Sequence, residues 1–219
     1  MTYKAVIFDL DGTLVNSLQD LADATNFALH FYDQQVHSTE AFMKMIGDGT
    51  RTLISRALAG DKQELIEQVL VKMREKYIEI CLDKSLPYKG FENVLPALKK
   101  QGIKMAVLTN KDQKMSEKVV RHFFPDMFEI VKGGNNGAPV KPEPTAALQI
   151  LDKLGVKPNE AVFVGDSNVD IKTAKAANMK SIGVSWGFRG EAELREAGAD
   201  FISNEPSELI KLIVNSEEY

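Results

Sequence analysis

The sequence predicts an α/β fold: a doubly wound, mainly parallel sheet with an all-α helical bundle inserted after its first strand. Short apolar runs rich in Val and Ile recur without strict alternation, which is typical of parallel strands covered on both faces. Segments with helical periodicity separate most of these runs, as in open α/β sheets. One long stretch, from about Ser17 to Ser85, carries helical patterns only.

The elements of the predicted sheet follow from these patterns. The clearest strand candidates are Ala5–Phe8, Ile103–Leu108, Ala161–Val164 and Ser181–Val184. Two less regular candidates are Phe128–Val131 and Ala199–Ile202. The predicted helices between the strands are Val94–Lys100, Met115–Phe123, Thr145–Leu154 and Ile171–Ala177. This alternation predicts a Rossmann-like core.

The helical stretch is predicted to form a separate bundle. Ser17, followed three residues later by Asp20, resembles a capping box at the start of a helix. One long amphipathic helix follows later, because its apolar positions recur every four residues. These positions are Leu65, Val69, Met73 and Tyr77, and the glycines that interrupt the preceding part are Gly47, Gly49 and Gly60.

Pro87 and Gly90 mark the return of the chain to the sheet. We therefore predict a sheet domain formed by residues 1–15 and 87–219 and an inserted helical bundle formed by residues 16–86.

Composition limits the classes of function. Hydrophobic residues make up 44% of the 219 residues and charged residues 26%, the balance of a soluble globular protein. The net charge of -4 argues against nucleic acid or an anionic membrane as a partner. No apolar stretch reaches the roughly 18 residues that span a bilayer. Since the first residues also lack the pattern of a signal peptide, we expect a cytoplasmic location.

Two carboxylates follow the first predicted strand, in the run Asp9-Leu10-Asp11-Gly12-Thr13. Side chains two apart in an extended segment point to the same side, and open α/β sheets bind ligands at the carboxyl ends of their strands. Neighbouring carboxylates repel each other unless a cation or a proton compensates them, and Mg²⁺ prefers such oxygen ligands. One carboxylate could attack phosphorus while the other transfers a proton. An exposed turn is the alternative interpretation.

Two further predicted strands end in groups suited to phosphate or metal. Thr109, Asn110 and Lys111 follow Leu108, and they offer a hydroxyl, an amide and an ammonium to phosphate oxygens. Asp166 follows the strand that ends at Val164, and Asp170 lies about one helical turn later. Each group taken alone is also compatible with a helix cap.

A lysine precedes a proline after the glycine-rich loop 133–140. Pro142 restricts Lys141 to an extended backbone, which helps to fix the direction of its side chain. A lysine aimed at clustered carboxylates would offset their charge and stabilise a phosphoryl transition state. A solvated surface lysine is the alternative. The three strand ends and this lysine together predict a site at one edge of the sheet.

These four segments resemble, in order, the four motifs of the haloacid dehalogenase superfamily. The matching stretches are DLDGTL at 9–14, LTN at 108–110, KPEP at 141–144 and GDSNVD at 165–170. The helical stretch is similar to the small α-helical cap that lies between the first and second motifs in that superfamily. The resemblance covers essentially the whole chain.

The resemblance implies catalytic roles for five residues. Asp9 would be the nucleophile that forms an aspartyl-phosphate, and Asp11 would protonate the leaving oxygen and later activate water. Thr109 and the neighbouring amide of Asn110 would bind the transferring phosphoryl group, and Lys141 would bridge that group and Asp9. Dehalogenases and phosphonatases of the superfamily lack an Asp at position 11, so its presence implies phosphoryl transfer to and from oxygen.

The resemblance also implies a Mg²⁺ site. Its ligands would be Asp9, the backbone carbonyl of Asp11, and Asp166. Asp170 would lie behind these ligands or anchor Lys141.

Within the superfamily, the cap loop 45–51 and the stretches 108–111 and 164–179 are most similar to the phosphoglycolate phosphatase group. The substrate is then a small phosphorylated metabolite. Arg51 is the candidate substrate-binding residue of the cap, because a guanidinium pairs well with a carboxylate. The further candidates are Lys44, Lys111 and Arg189. A solvated surface charge is the alternative for Arg51 and for the other candidates.

Three alternatives remain at this point. A phosphosugar mutase or a pyrophosphatase would share most of these motifs, and Asp48 replaces the Asn that is usual in the cap loop of the phosphoglycolate phosphatase group. A response-regulator-like signalling domain also has an acidic Mg²⁺ site and a phosphorylated Asp. The helical insertion and the position of the carboxylate pair at the first strand argue against that third alternative.

Overall fold

The structure, a computed structural model, describes residues 2–58, 62–134 and 141–214. Its strands are β1 (Ala5–Phe8), β2 (Val15–Asn16), β3 (Leu86–Pro87), β4 (Lys104–Asp112), β5 (Ile130–Gly134), β6 (Ala161–Gly165), β7 (Lys180–Val184) and β8 (Phe201–Ser203). Its α-helices are α1 (Leu18–Phe31), α2 (Thr39–Met43), α3 (Thr50–Ala57), α4 (Ile66–Ile80), α5 (Phe91–Lys100), α6 (Gln113–Phe123), α7 (Thr145–Leu154), α8 (Asn168–Ala176), α9 (Gly190–Glu196) and α10 (Glu208–Val214).

Six strands form one parallel sheet in the order β5-β4-β1-β6-β7-β8. All four residues of β1 are buried, and alternate side chains enter different cores. Val6 and Phe8 pack in the core that includes residues of α5, α6 and α10. Ala5 and Ile7 pack in the core that includes residues of α7 and α8. Helices therefore cover both faces of the sheet, and the predicted doubly wound α/β fold is confirmed.

Strand β4 is longer than the sequence predicted. It continues past Leu108 to Asp112, and its register with β5 shifts between these two residues. Thr109, Asn110 and Lys111 are therefore buried inside a strand rather than placed in the loop after it. Polar residues are seldom buried, so their burial could not be predicted without the groups that surround them.

The other differences lie at the ends of the elements. Helix α5 begins three residues before the predicted Val94 and contains Pro96 in its interior, where proline removes one helical hydrogen bond, the one to the carbonyl of Glu92. Helices α9 and α10 were not predicted. Gly60 and residues 135–140 of the predicted glycine-rich loop lie outside the described residues.

Helices α1 to α4 occupy the stretch between β2 and β3. These two short strands pair antiparallel, Val15 with Pro87 and Asn16 with Leu86, so the chain leaves and re-enters the sheet side by side. Val69, Met73 and Tyr77 of α4 are buried, as the four-residue periodicity predicted. None of the helices in the described ranges combines the length and the apolar character that crossing a bilayer requires.

The predicted capping box at the start of α1 is not formed. Ser17 makes no capping hydrogen bond, and its hydroxyl instead donates to Oδ1 of Asp11 at 2.5 Å. Asp20 accepts hydrogen bonds from the backbone N–H groups of Lys84 and Ser85 and from the Ser85 hydroxyl. The partner of Ser17 lies six residues before it and the partner Ser85 lies 65 residues after Asp20, so neither contact belongs to the four-residue capping pattern. Asp20 thereby ties the start of α1 to the segment that returns to the sheet.

Candidate active site

The predicted site residues meet at the carboxyl edge of the sheet. Asp9 follows β1, Thr109 lies near the end of β4, and Asp166 follows β6. Because β1 lies between β4 and β6 in the sheet, the ends of these three strands are neighbours. All three side chains are buried.

Three carboxylates form a tight cluster at this edge. One oxygen from each of Asp9, Asp166 and Asp170 lies within 4.8 Å of the others. Asp170 is held by Ser167, whose backbone N–H and hydroxyl both donate to its Oδ2. Oδ1 of Asp9 is buried in this cluster. Such a cluster of buried oxygen atoms fits a hard divalent cation.

Lys141 supplies positive charge to this cluster. Its Nζ lies 2.8 Å from Oδ1 of Asp9 and 2.6 Å from Oδ1 of Asp170. The backbone of Lys141 is fixed by Asn110, which accepts its N–H at 2.8 Å and donates to its carbonyl at 3.1 Å. Asn110 thus aligns β4 with the lysine segment, and the direction predicted for the Lys141 side chain agrees with the structure.

The backbone closes tightly around Asp166. Its Oδ2 accepts the N–H of Phe188 at 2.8 Å, and the Thr13 hydroxyl lies 3.4 Å from its Oδ1. A Cβ on Gly187 would lie 2.2 Å from the Cβ of Asp166, and one on Gly12 would lie 2.3 Å from its Oδ2. Both positions therefore require glycine, because any side chain would displace the carboxylate.

Burial dominates the titration of the cluster. Desolvation raises the pKa of Asp9 to about 7, although the ammonium of Lys141 opposes this change. Burial also raises the pKa of Asp166, and the charges of Asp170 and Asp9 add to the increase. Burial alone would lower the pKa of Lys141, but the carboxylates of Asp170 and Asp9 outweigh it and raise the pKa. One ammonium thus faces three carboxylates, and a divalent cation would compensate the remaining charge.

Asp11 lies apart from this cluster, and Lys111 is its main partner. The Nζ of Lys111 lies 2.9 Å and 3.0 Å from the two carboxylate oxygens of Asp11. The same ammonium contacts the hydroxyl of Tyr77 on α4 at 2.5 Å. Burial alone would lower the pKa of Lys111, but Asp11 and Tyr77 outweigh it and raise the pKa. Tyr77 had been predicted only as an apolar position, and the structure shows that it links α4 to Asp11.

A cavity of about 50 Å³ lies between the sheet edge and the inserted helices. Asp9, Asp11 and Thr109 line it from the sheet. The inserted helices and their loops contribute Leu21, Ile46, Gly47, Gly49, Thr50, Leu53, Met73, Arg74 and Tyr77. One water molecule needs roughly 10–15 Å³ of such a cavity, so the cavity has room for only a few waters when the inserted helices lie as they do here.

Two side chains of the sheet domain bind the loop before α3. Asn110 donates to the carbonyl of Gly47 at 3.1 Å, and Arg189 donates to the carbonyl of Ile46 at 2.7 Å. Arg189 had been a candidate for binding substrate, and here it contacts a backbone carbonyl of the inserted segment. These contacts hold the loop over the site.

The structure places the other predicted cap residues away from the cavity. The guanidinium of Arg51 pairs with Glu67 at 2.8 Å, and 65% of its side chain is exposed. Neither Arg51 nor Lys44 lines the cavity. Arg74 does line it, and sequence reasoning missed this residue. The sequence offered one indication of Arg74: it follows Met73 and therefore lies at the border of the apolar face of α4.

Comparison with known proteins agrees with this geometry. Residues 6–184 match the model of the haloacid dehalogenase-like hydrolase family. Phosphoglycolate phosphatase of Aquifex aeolicus is 33% identical over 97% of this chain and 97% of its own length. The same enzyme of Mannheimia succiniciproducens is 32% identical over 96% of this chain and 98% of its own.

Solved structures show the same architecture. A crystal structure of a protein from Lactobacillus delbrueckii subsp. bulgaricus has a TM-score of 0.91 and 30% identity, covering 98% of this chain and 99% of that one. The crystal structure of CbbY from Rhodobacter sphaeroides in complex with phosphate has a TM-score of 0.81 and 25% identity, covering 94% and 96% of the two chains.

The chain therefore belongs to the haloacid dehalogenase-like hydrolases. Within that family it is an enzyme of the phosphatase type, and its sequence is most similar to the phosphoglycolate phosphatases. The family predicted from the four motifs is thus confirmed.

Proposed function

We propose that the enzyme is a Mg²⁺-dependent phosphomonoesterase of small metabolites, with phosphoglycolate as its first candidate substrate. The observation that carries this proposal is the environment of Asp9. Its Oδ1 is buried at the sheet edge and lies 2.8 Å from the ammonium of Lys141. A carboxylate oxygen held in this way can serve as a nucleophile toward phosphorus.

In the first step, Asp9 attacks phosphorus and the bond to the leaving oxygen breaks. The Thr109 hydroxyl, the Asn110 amide and Lys141 bind the phosphoryl oxygens. Asp11, whose carboxylate pairs with Lys111 in this structure, must first take up a proton, and it gives that proton to the leaving oxygen. In the second step, Asp11 takes a proton from water, the water oxygen attacks phosphorus, and phosphate leaves Asp9. Both carboxylates line the same cavity, which supports this division of roles.

The cluster of Asp9, Asp166 and Asp170 supports a Mg²⁺ site, with the backbone carbonyl of Asp11 as a further ligand. When bound, Mg²⁺ would offset negative charge on the phosphoryl oxygens. Asp170 would orient Lys141 through the 2.6 Å contact between Oδ1 and Nζ.

We also propose that residues 16–86 act as a mobile cap over a core formed by residues 1–15 and 87–219, with hinges near Asn16 and Pro87. The pairing of β2 with β3 supports these positions, because the only strands that link the inserted helices to the described part of the core are those two. Closure of the cap would exclude bulk water during the first step.

Phosphate release from a panel of substrates tests the proposal. We expect release from phosphoglycolate in Mg²⁺ to exceed release from pyrophosphate and from sugar phosphates, and we expect EDTA to reduce it at least about 100-fold. Excess Mg²⁺ should restore the rate. Rapid release would exclude a phosphosugar mutase, which must shield the aspartyl-phosphate from water. Faster turnover of pyrophosphate, or full activity in EDTA, would contradict the proposal.

The stabilisation by Mg²⁺ should depend on pH. Since the pKa of Asp9 is raised to about 7 and that of Asp166 is raised as well, the metal-free folded protein retains protons that the unfolded chain releases near pH 4. The unfolded state then binds fewer protons, so the free energy of unfolding falls as the pH rises from about 4 to about 7. Mg²⁺ binds the ionised form of the cluster. The increase in the free energy of unfolding that Mg²⁺ causes should therefore become larger as the pH rises over the same range.

Thermal unfolding with and without Mg²⁺ at pH 6 and pH 8 measures this effect. We expect a larger increase in Tm from Mg²⁺ at pH 8, with NaCl of equal ionic strength as the control. An equal or larger increase in Tm at pH 6 would show that protons on the buried carboxylates do not compete with the binding of Mg²⁺.

A further inference from the structure

The cavity has a catalytic end and a cap end. Asp9 and Thr109 line the catalytic end, where the phosphoryl group lies in the proposed function. Met73, Arg74 and Tyr77 of α4 line the same cavity from the inserted helices. A phosphomonoester bound at Asp9 would therefore place its leaving group in a cavity that α4 also lines.

Lys111 and Arg74 are the two cationic side chains among the described residues that line this cavity. The Nζ of Lys111 contacts both carboxylate oxygens of Asp11 and the hydroxyl of Tyr77. These three contacts match the three N–H donors of an ammonium. Lys111 therefore compensates the charge of Asp11, and its donors are already used by Asp11 and Tyr77 rather than by the leaving group.

Arg74 differs from Lys111 in its geometry. Its Nη2 lies 3.8 Å from Oδ2 of Asp112, and 31% of its side chain is exposed. A guanidinium has five N–H donors in a planar fork whose geometry matches a carboxylate. Asp112 itself is fixed at the start of α6, where it accepts the N–H of Lys114. The ion pair thus holds the guanidinium beside the cavity.

Apolar and charged side chains both line this cavity. Leu53, Met73 and Met115 are among the apolar ones, and Asp112 lines it together with Arg74. Apolar walls penalise an anionic group that has no cationic partner. A carboxylate bound in this cavity therefore needs a cation, and Arg74 is the candidate because Lys111 pairs with Asp11.

We propose that Arg74 is the specificity-determining residue of the cap and that it binds a carboxylate on the leaving group of the substrate. This inference rests on the proposed function, since it takes the phosphoryl group to lie at Asp9. The substrate class is a short phosphomonoester with a carboxylate a few bonds from phosphorus, because the cavity is only about 50 Å³. Arg74 thus takes the substrate-binding role that the sequence had suggested for Arg51, because the guanidinium of Arg51 pairs with Glu67.

Steady-state kinetics of Arg74→Gln on two substrates tests the proposal. Phosphoglycolate carries the carboxylate, and ethyl phosphate is a short phosphomonoester without it. We expect the KM for phosphoglycolate to rise about 10- to 100-fold with kcat changed less than about threefold, as for loss of one charge-assisted hydrogen-bonded pair. Neither constant for ethyl phosphate should change more than about threefold. Arg74→Lys should give an intermediate KM, because lysine keeps the positive charge but lacks the paired N–H donors with which a guanidinium binds both oxygens of a carboxylate.

Lys76→Gln is the matched control, since it removes one positive charge from the same helix. Lys76 pairs with Glu79 and lies over the ring of Phe27, away from the cavity. Its kinetic constants should match those of the parent enzyme. Thermal unfolding of each variant reports whether the fold is retained.

The outcomes separate this inference from the proposed function. Equal losses on both substrates, or no loss on phosphoglycolate, would overturn the role of Arg74 while the phosphatase proposal stands. A selective loss on phosphoglycolate in Arg51→Gln, with Arg74→Gln unaffected, would return the role to Arg51. Absence of phosphate release from both substrates by the parent enzyme would overturn the proposed function itself.

Discussion

Asp9→Asn should reduce phosphate release by about 10⁴-fold or more while the protein keeps its fold. Asn has nearly the same shape as Asp, but its amide does not attack phosphorus. The fold should persist because the substitution removes one negative charge from a cluster in which three carboxylates face one ammonium. Lys141 keeps its 2.6 Å contact with Asp170 in this variant.

Steady-state phosphate release and thermal unfolding together measure this effect. Asp23→Asn is a matched control, because it removes a carboxylate that pairs with Lys84 at 2.7 Å on the surface. That control should retain the parent activity. Turnover by Asp9→Asn within tenfold of the parent, or a phosphorylated form of this variant in acid-quenched mass spectra, would show that another residue is the nucleophile.

Lys141→Gln should lower both activity and stability. The ammonium lies within 2.8 Å of Asp9 and Asp170, and all three side chains are buried. Removing one member of a buried ion pair leaves an uncompensated charge and costs about 3–5 kcal/mol. We expect activity to fall about 10²- to 10⁴-fold, since the group that would neutralise the transferring phosphoryl oxygens is lost.

The loss of stability should depend on pH in metal-free buffer. The carboxylates that lose their partner can take up a proton, and this relieves the destabilisation at low pH. Urea unfolding should therefore show a larger loss at pH 8 than at pH 5. Lys180→Gln is the control, because the exposed pair of Lys180 with Asp200 is worth no more than about 1 kcal/mol. A Lys141→Gln protein as stable as this control at pH 8 would contradict the prediction.

The edge of the sheet that carries the candidate site was predictable because its signals are local in the sequence. Asp9 and Asp11 stand two residues apart after a buried strand, and Asp166 follows another. The topology of a parallel sheet then brings these strand ends together without further information. The same rule explains why Thr109 was predicted correctly as part of the edge, although the length of β4 was not.

The cap was less predictable because its functional face depends on how helices pack. Arg51 and Arg74 are both arginines on helices of the insertion, and only the packing of α3 and α4 decides which one lines the cavity. Tyr77 fitted the apolar periodicity of α4, and its hydroxyl contact with Lys111 is invisible in that pattern. Ser17 and Asp20 matched a capping box, yet each has a partner elsewhere in the chain.

The ribbon formed by β2 and β3 brings the two ends of the helical segment next to each other. An insertion whose ends are adjacent can be exchanged for one of another size or shape without disturbing the strands that carry Asp9, Thr109 and Asp166. In the proposed function, the strands carry the chemistry and the inserted helices carry the choice of substrate, so separable stretches of the chain would encode the two. Chimaeras that graft a different helical segment onto this ribbon should inherit the reaction of one parent and the substrate range of the other.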